Sequence, residues 1–109
     1  MIYEIVITEK AEEDLRGIYE YIAYELMESE YAKRQIVRIE EKIVQLEEFP
    51  EKFRLYEEEP WNSGNIRITF VDNYSIFYTP NKEKHEVVIN RIMYSGRNYS
   101  EQLGAESDN

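Results

Sequence analysis

The sequence predicts an α+β domain, with an N-terminal strand and an antiparallel helical hairpin packed on a twisted antiparallel β-sheet. Three observations carry this expectation. Residues 11–46 hold two apolar stripes at helical spacing. Residues 66–94 hold three segments of alternating or β-branched character. A Phe49-Pro50 step separates the two regimes. At 109 residues the chain suits one domain, assigned here to 1–103, with a small, polar and disordered tail over 104–109.

Ile2 to Ile7 is apolar on both phases apart from Glu4 and reads as a short strand. Thr8 is placed to cap a helix, with Glu9 beside the positive end of its dipole. Ala11, Leu15, Ile18, Ile22 and Leu26 then recur on one face, widened by Tyr19 and Ala23. A break near Glu28-Ser29 offers Ser29 as a second cap. Ala32, Ile36, Ile39, Ile43 and Leu46 form the next stripe, which Pro50 closes. The stripe lasts about two heptads, short of a coiled coil, so the helices pack as a hairpin on something else.

Arg54 to Tyr56 predicts a short edge strand, and Asn62-Ser63-Gly64-Asn65 a turn. Ile66 to Val71, Tyr74 to Thr79 and Glu86 to Tyr94 predict three strands. Asp72-Asn73 turns the first pair, and a polar loop over Pro80 to Lys84 joins the second. Short turns imply an antiparallel meander. Asn98 to Leu103 suits a short terminal helix.

Composition removes several function classes. Without cysteine there is no disulfide or thiolate metal site, and the only histidine is His85. Metal-ligand spacings and phosphate-cradling glycine loops are missing, so neither metal nor cofactor is expected. No apolar run approaches the ~20 residues that span a bilayer. The start, Met1-Ile2-Tyr3-Glu4-Ile5, lacks a basic leader region, and a cytoplasmic protein is expected. The net charge is −10, unevenly placed: residues 1–59 hold 17 acids and 8 bases, whereas residues 60–103 hold 4 acids and 5 bases. Long-range steering opposes a nucleic acid, although the second half can still meet an anion locally.

The residues with chemical potential concentrate in that second half: Arg67, Tyr74, Tyr78, Arg91, Tyr94, Arg97 and Tyr99. Arginine offers a planar fork for phosphate or carboxylate, and tyrosine a stacking face with a hydroxyl. Arg91 shares a phase with Val87, Ile89 and Met93, so it either pairs with a helix acid or faces a groove. Tyr74 and Tyr78 also suit a core.

Three runs carry a family resemblance: Gly64-Asn65-Ile66-Arg67-Ile68, Asn73 to Tyr78, and Val87 to Asn98. Together with Thr8-Glu9-Lys10-Ala11-Glu12-Glu13-Asp14-Leu15 and Leu46-Glu47-Glu48-Phe49-Pro50, they resemble the RelE/ParE toxins in order along nearly the whole chain. The resemblance implies a toxin of a type II toxin–antitoxin module that serves plasmid stabilisation and is neutralised by a cognate antitoxin protein. One branch of the family cleaves mRNA on the ribosome. Another acts on DNA gyrase. For the ribonuclease branch the resemblance implies Arg67, Arg91, Tyr94 and Arg97 as a metal-independent catalytic set; as target-binding residues it implies the same four with Tyr99.

The sequence departs from the ribonuclease pattern in three places. Ser75 stands where that branch commonly has an arginine, Tyr94 where many members have a histidine, and Arg97 is a single closing arginine. Serine cannot neutralise a phosphate, and tyrosine, with a pKa of about 10, is a poor base at neutral pH. The gyrase-binding side is therefore favoured over the ribonuclease, with a degenerate non-toxic binding module as the third reading. A groove left uncovered by a missing antitoxin would favour a homodimer.

Overall fold

A computed structural model describes residues 2–58 and 64–95 of the chain. The expected helix at 98–103, the tail at 104–109, positions 62 and 63 of the expected turn, and both Arg97 and Tyr99 lie outside the described residues.

Strand β1 (Glu4–Ile7) leads directly into helix α1 (Glu9–Glu20). Thr8 makes the junction in the way its position predicts. Its Oγ1 accepts from the Ala11 N–H at 3.1 Å, and Glu9 and Glu12 occupy the electropositive first turn. The same hydroxyl lies 2.9 Å from the Ile89 carbonyl and 3.1 Å from that of Asn90, which ties the helix start to the last strand.

The helix does not run to Leu26 as the apolar spacing predicts. A π-helical turn, Tyr21–Glu25, takes over, with the Leu26 N–H reaching back to the Tyr21 carbonyl at 3.1 Å. The wider turn shifts the phase of the residues after it. Ile22 and Ala23 are both buried, while Leu26 swings out to 52% exposure. Met27 adopts a left-handed conformation (φ 56°) and Glu28 N–H returns to the Ile22 carbonyl, which ends the element.

Helix α2 (Ser29–Gln45) starts without the expected serine cap: Glu28 is the capping residue, makes no side-chain bond, and Ser29 is already helical. Ala32, Ile39, Ile43 and Leu46 are buried, and Gln35 takes a buried place beside them. Pro50 lies in a single 3₁₀ turn, Pro50–Lys52.

Strands β2 (Arg67–Val71), β3 (Tyr74–Asn81) and β4 (Glu86–Tyr94) form the expected meander. The sheet order is β1-β4-β3-β2. Strand β1, however, pairs parallel to β4, from Glu4 opposite Glu86 to Ile7 opposite Ile89. The sheet is therefore mixed rather than antiparallel throughout. The helical hairpin carries the chain across the sheet and allows β1 and β4 to run the same way.

Two further boundaries differ from expectation. Pro80 lies in β3 opposite Val87 rather than in the loop. There β3 has outrun β2, so the missing N–H leaves no ladder bond unmade. The expected edge strand at 54–56 is reduced to one antiparallel bridge, Leu55 to Arg67, reinforced by Tyr56 N–H to Ile66 O at 2.7 Å.

A bulge sets the faces of β4. Phe77 opposes Arg91 and Tyr78 opposes Ile89, which leaves Asn90 as the extra residue. The phase expected for Arg91 is broken there. Val87, Ile89 and Ile92 face the helices, packing with Ala11, Ile39, Ile43, Leu46, Ile76 and Tyr78. Met93 joins Tyr56, Ile68 and Phe77 on the opposite face.

Tyr78 is fully buried, and its hydroxyl donates to the Pro50 carbonyl. Burial pushes its pKa up to about 12. Tyr78→Phe leaves that carbonyl unpaired and lowers stability by about 1 kcal/mol in neutral-pH urea unfolding. Because the folded pKa lies above the unfolded value, the tyrosine's contribution is complete below about pH 10 and is lost as pH rises toward 12. The difference between wild type and Tyr78→Phe shrinks over that window.

Candidate functional site

The sheet arginines do not converge on one site. Arg67 opposes Tyr78 and shares its face, whereas Arg91 opposes Phe77. Arg67 Nη1 donates to the carbonyls of Phe53 (2.7 Å) and Glu51 (3.1 Å), holding the segment after Pro50 against β2.

Arg91 reaches around the edge of β4 to helix α1. Its Nε and Nη2 donate to Asp14 Oδ2 and Oδ1 at 2.7 and 2.9 Å, a two-pronged pair with both side chains only 14% exposed. Asp14 Oδ2 also accepts the backbone N–H of Ile92 at 2.9 Å. Of the two readings open for Arg91, pairing with a helix acid is the one realised. It nevertheless lines a groove.

That groove, about 640 Å³, lies between α1, the π-helical turn, the start of α2 and the far end of β4. Its floor is Ile18, Ile22 and Ile92, and its walls carry Tyr21, Tyr31, Tyr74 and Tyr94. Tyr94 is 48% exposed and meets Tyr74 edge-on, with ring centroids 5.9 Å apart. Burial raises the pKa of Tyr74, and the neighbouring tyrosines add to the shift. The Tyr74 hydroxyl therefore stays protonated and is no base at neutral pH.

Ser75 is fully buried and shares a 2.9 Å hydrogen bond with Ser95. It points to the face of Phe77 and Met93, where a guanidinium would have to displace apolar packing. His85 sits in the turn before β4 at φ 54°, exposed, with its ring 5.1 Å from that of Tyr3. The strand between it and Tyr94 spans roughly 30 Å, so the two cannot act on one bond. Among the described residues no cluster of His, Cys, Asp or Glu could hold a metal ion, and no helix is long and apolar enough to cross a membrane.

A second ion pair fixes the β2–β3 turn. Asp72, at φ 54°, accepts from Arg38 at 2.7 and 2.8 Å and from Gln35 Nε2 at 3.0 Å. These bonds hold its carboxyl below the usual range, the Arg38 bond most of all. They join the turn to α2 and close the end of the tyrosine groove at Gln35.

Residues 5–99 match the family described as ParE toxin of type II toxin-antitoxin system, parDE. The chain belongs to this toxin family. No curated protein matches the sequence. Solved structures agree in fold. The chain is similar to a protein of the chromosomal ParDE system of P. aeruginosa, with 23% identity, a TM-score of 0.70, and 85% of this chain and 96% of that one covered. A chain of the RelBE2 toxin–antitoxin complex of Mycobacterium tuberculosis aligns at 18% identity and TM-score 0.65, covering 86% and 99%. The isolated E. coli RelE toxin aligns at 14% and 0.58, covering 98% and 99%.

Of the residues that line this groove, the sequence singles out Tyr74, Arg91 and Tyr94 but not Asp14, Tyr21 or Tyr31. A signal for Asp14 existed: it is the single aspartate among the 17 acids of residues 1–59. Its short side chain seats the carboxylate against the strand.

Asp14→Ala leaves Arg91 largely buried without its carboxylate and Ile92 N–H without an acceptor. The expected loss is about 3 kcal/mol in urea unfolding. Asp14→Asn, which keeps an acceptor, loses less. Equal losses for the two variants would show that charge rather than the amide bond dominates.

Proposed function

We propose that the chain is a toxin that acts in the cytoplasm by binding a protein target such as DNA gyrase, and that a cognate antitoxin protein neutralises it. The single observation that carries the reading is the fate of the sheet's polar positions. Arg67 is committed to two backbone carbonyls, Arg91 to Asp14, and the Ser75 position is sealed in the core. Cleavage of RNA needs cations aimed at the phosphate as charge develops there. The described residues of this sheet aim theirs inward.

The working unit in this reading is residues 1–103, with target contacts from Tyr94 and from Arg97 and Tyr99 beyond it. Membership of the ParE toxin family supports the same direction. The acidic hairpin adds to it, because a strongly negative body is repelled by an RNA-lined site.

Induced expression with transcript-end mapping, alongside a supercoiling assay on purified protein, separates the possibilities. The expected result is arrested growth, intact messages and inhibited supercoiling, with growth restored by the antitoxin. New cleavage ends in ribosome-bound messages, removed by Arg97→Ala or Tyr94→Ala, would establish the ribonuclease instead. Normal growth at high expression would leave a non-toxic binding module.

A further inference from the structure

The tip of the helical hairpin is unusually apolar for a stretch in water. Of the twelve large apolar side chains exposed among the described residues, five lie within residues 21–31: Tyr21, Tyr24, Leu26, Met27 and Tyr31. Single exposed apolar residues need no explanation, but a cluster marks a contact surface. Tyr21, Leu26 and Tyr31 line the groove already described. Tyr24, 70% exposed, and Met27, 84% exposed, do not line it and belong to the tip itself.

The backbone supplies an independent observation. The π-helical turn takes Leu26 off the stripe that Ile18 and Ile22 define. Met27 follows at φ 56°, a conformation that a long side chain seldom adopts. Both departures fall in one short stretch, and both residues stay in water although burial would favour them. Irregular backbone held in place around exposed apolar side chains points to a contact outside the chain.

Charge indicates the kind of partner. Residues 17–32 hold four acids, Glu20, Glu25, Glu28 and Glu30, and no base. All four are exposed, and Lys33 lies 4.0 Å from Glu30. Such a tip repels nucleic acid, anionic lipid and a second copy of the chain. It suits a protein surface that is basic around an apolar recess. The proposed target is of this kind, because an enzyme that acts on DNA carries Lys and Arg where it meets phosphates.

We infer that the hairpin tip is a contact surface for the protein target. Tyr24 and Met27 seat in an apolar recess of that protein, and Glu25 and Glu28 face lysines or arginines around it. A tyrosine ring gives contact area at little entropic cost, and a methionine adapts to the shape it meets. The acids orient the encounter and speed it. The inference rests on the proposed protein target and names the part of the chain, and the chemistry, that meets it.

The test uses the full chain and purified DNA gyrase, with affinity and inhibition of supercoiling as readouts. Glycine suits the left-handed backbone at position 27 and Tyr24 is exposed, so Tyr24→Ala/Met27→Gly keeps the wild-type melting temperature. Expected is a loss of affinity on the order of 100-fold for that double variant. Glu25→Lys/Glu28→Lys alters only exposed charges and serves as the second variant, with an expected loss of roughly tenfold. Wild-type binding is expected to weaken as salt rises. Wild-type affinity in either folded double variant would overturn the inference while leaving the gyrase reading intact. So would variants that inhibit gyrase fully yet no longer bind the protein encoded by the small reading frame beside the gene, because the tip would then serve the antitoxin. A wild-type chain that leaves supercoiling untouched would overturn the gyrase reading, and this inference with it.

Discussion

The constraint on which the rest depends is a mismatch in strand length. β1 has four residues and β4 nine, and they pair in register only over the first four of β4. Backbone groups beyond that point need acceptors and donors from elsewhere. Thr8 and Asp14, both from the stretch of chain after β1, provide them at Ile89, Asn90 and Ile92. Because these residues belong to the cap and second turn of α1, their bonds also set where the helix lies across the sheet. Arg91 completes the arrangement by neutralising the carboxylate that reaches the strand. Helix position, strand edge and ion pair are thus one structural unit.

That unit changes the meaning of the charge distribution. An arginine in the sheet of a small acidic protein invites a phosphate-binding role. Here the acid that answers it comes from the acidic half of the same chain. The hairpin is therefore more than a solubilising scaffold: one of its acids holds the sheet's central cation in place. Arg67 obeys the same logic with backbone carbonyls as acceptors. What remains outward on the described sheet end is tyrosine, whose ring binds by contact.

Much of the fold was legible in the sequence, for reasons that are local. Thr8 announces a cap because its hydroxyl chemistry acts within one turn, and the stripe from Ala32 to Leu46 announces α2 because burial imposes its period. The Asp72-Asn73 turn comes from residues that tolerate positive φ. What escaped was set by distant partners. The parallel placement of β1 depends on where the hairpin returns the chain. The bulge at Asn90 depends on β3, and it moved Arg91 off the face its spacing assigned. The π-helical turn at Tyr21–Glu25 leaves no compositional mark and turned Leu26 outward. At the site, Arg91 and Tyr94 were visible as residue types with chemical potential. Asp14 carried only a weak signal, as the one aspartate among the acids of the first half, because its role depends on the strand the fold sets beside it.

The departures from regular structure are not scattered evenly. Gly17 in mid-helix, the π-helical turn, the end of β4 that runs past β1 and the four-tyrosine wall all border one groove. The positive-φ turns at Phe49 and His85 lie elsewhere and only reverse the chain. A sequence is usually locally consistent with its fold, and local rules tend to be broken where function demands it. Each departure here has a cost to the isolated chain: a weaker helix turn, exposed aromatic surface, backbone groups without a strand. Contacts within the described residues offset these costs only in part, as where Asp14 accepts the Ile92 N–H. Their coincidence along one edge is explained if stability of the isolated chain is sacrificed for complementarity to a second polypeptide.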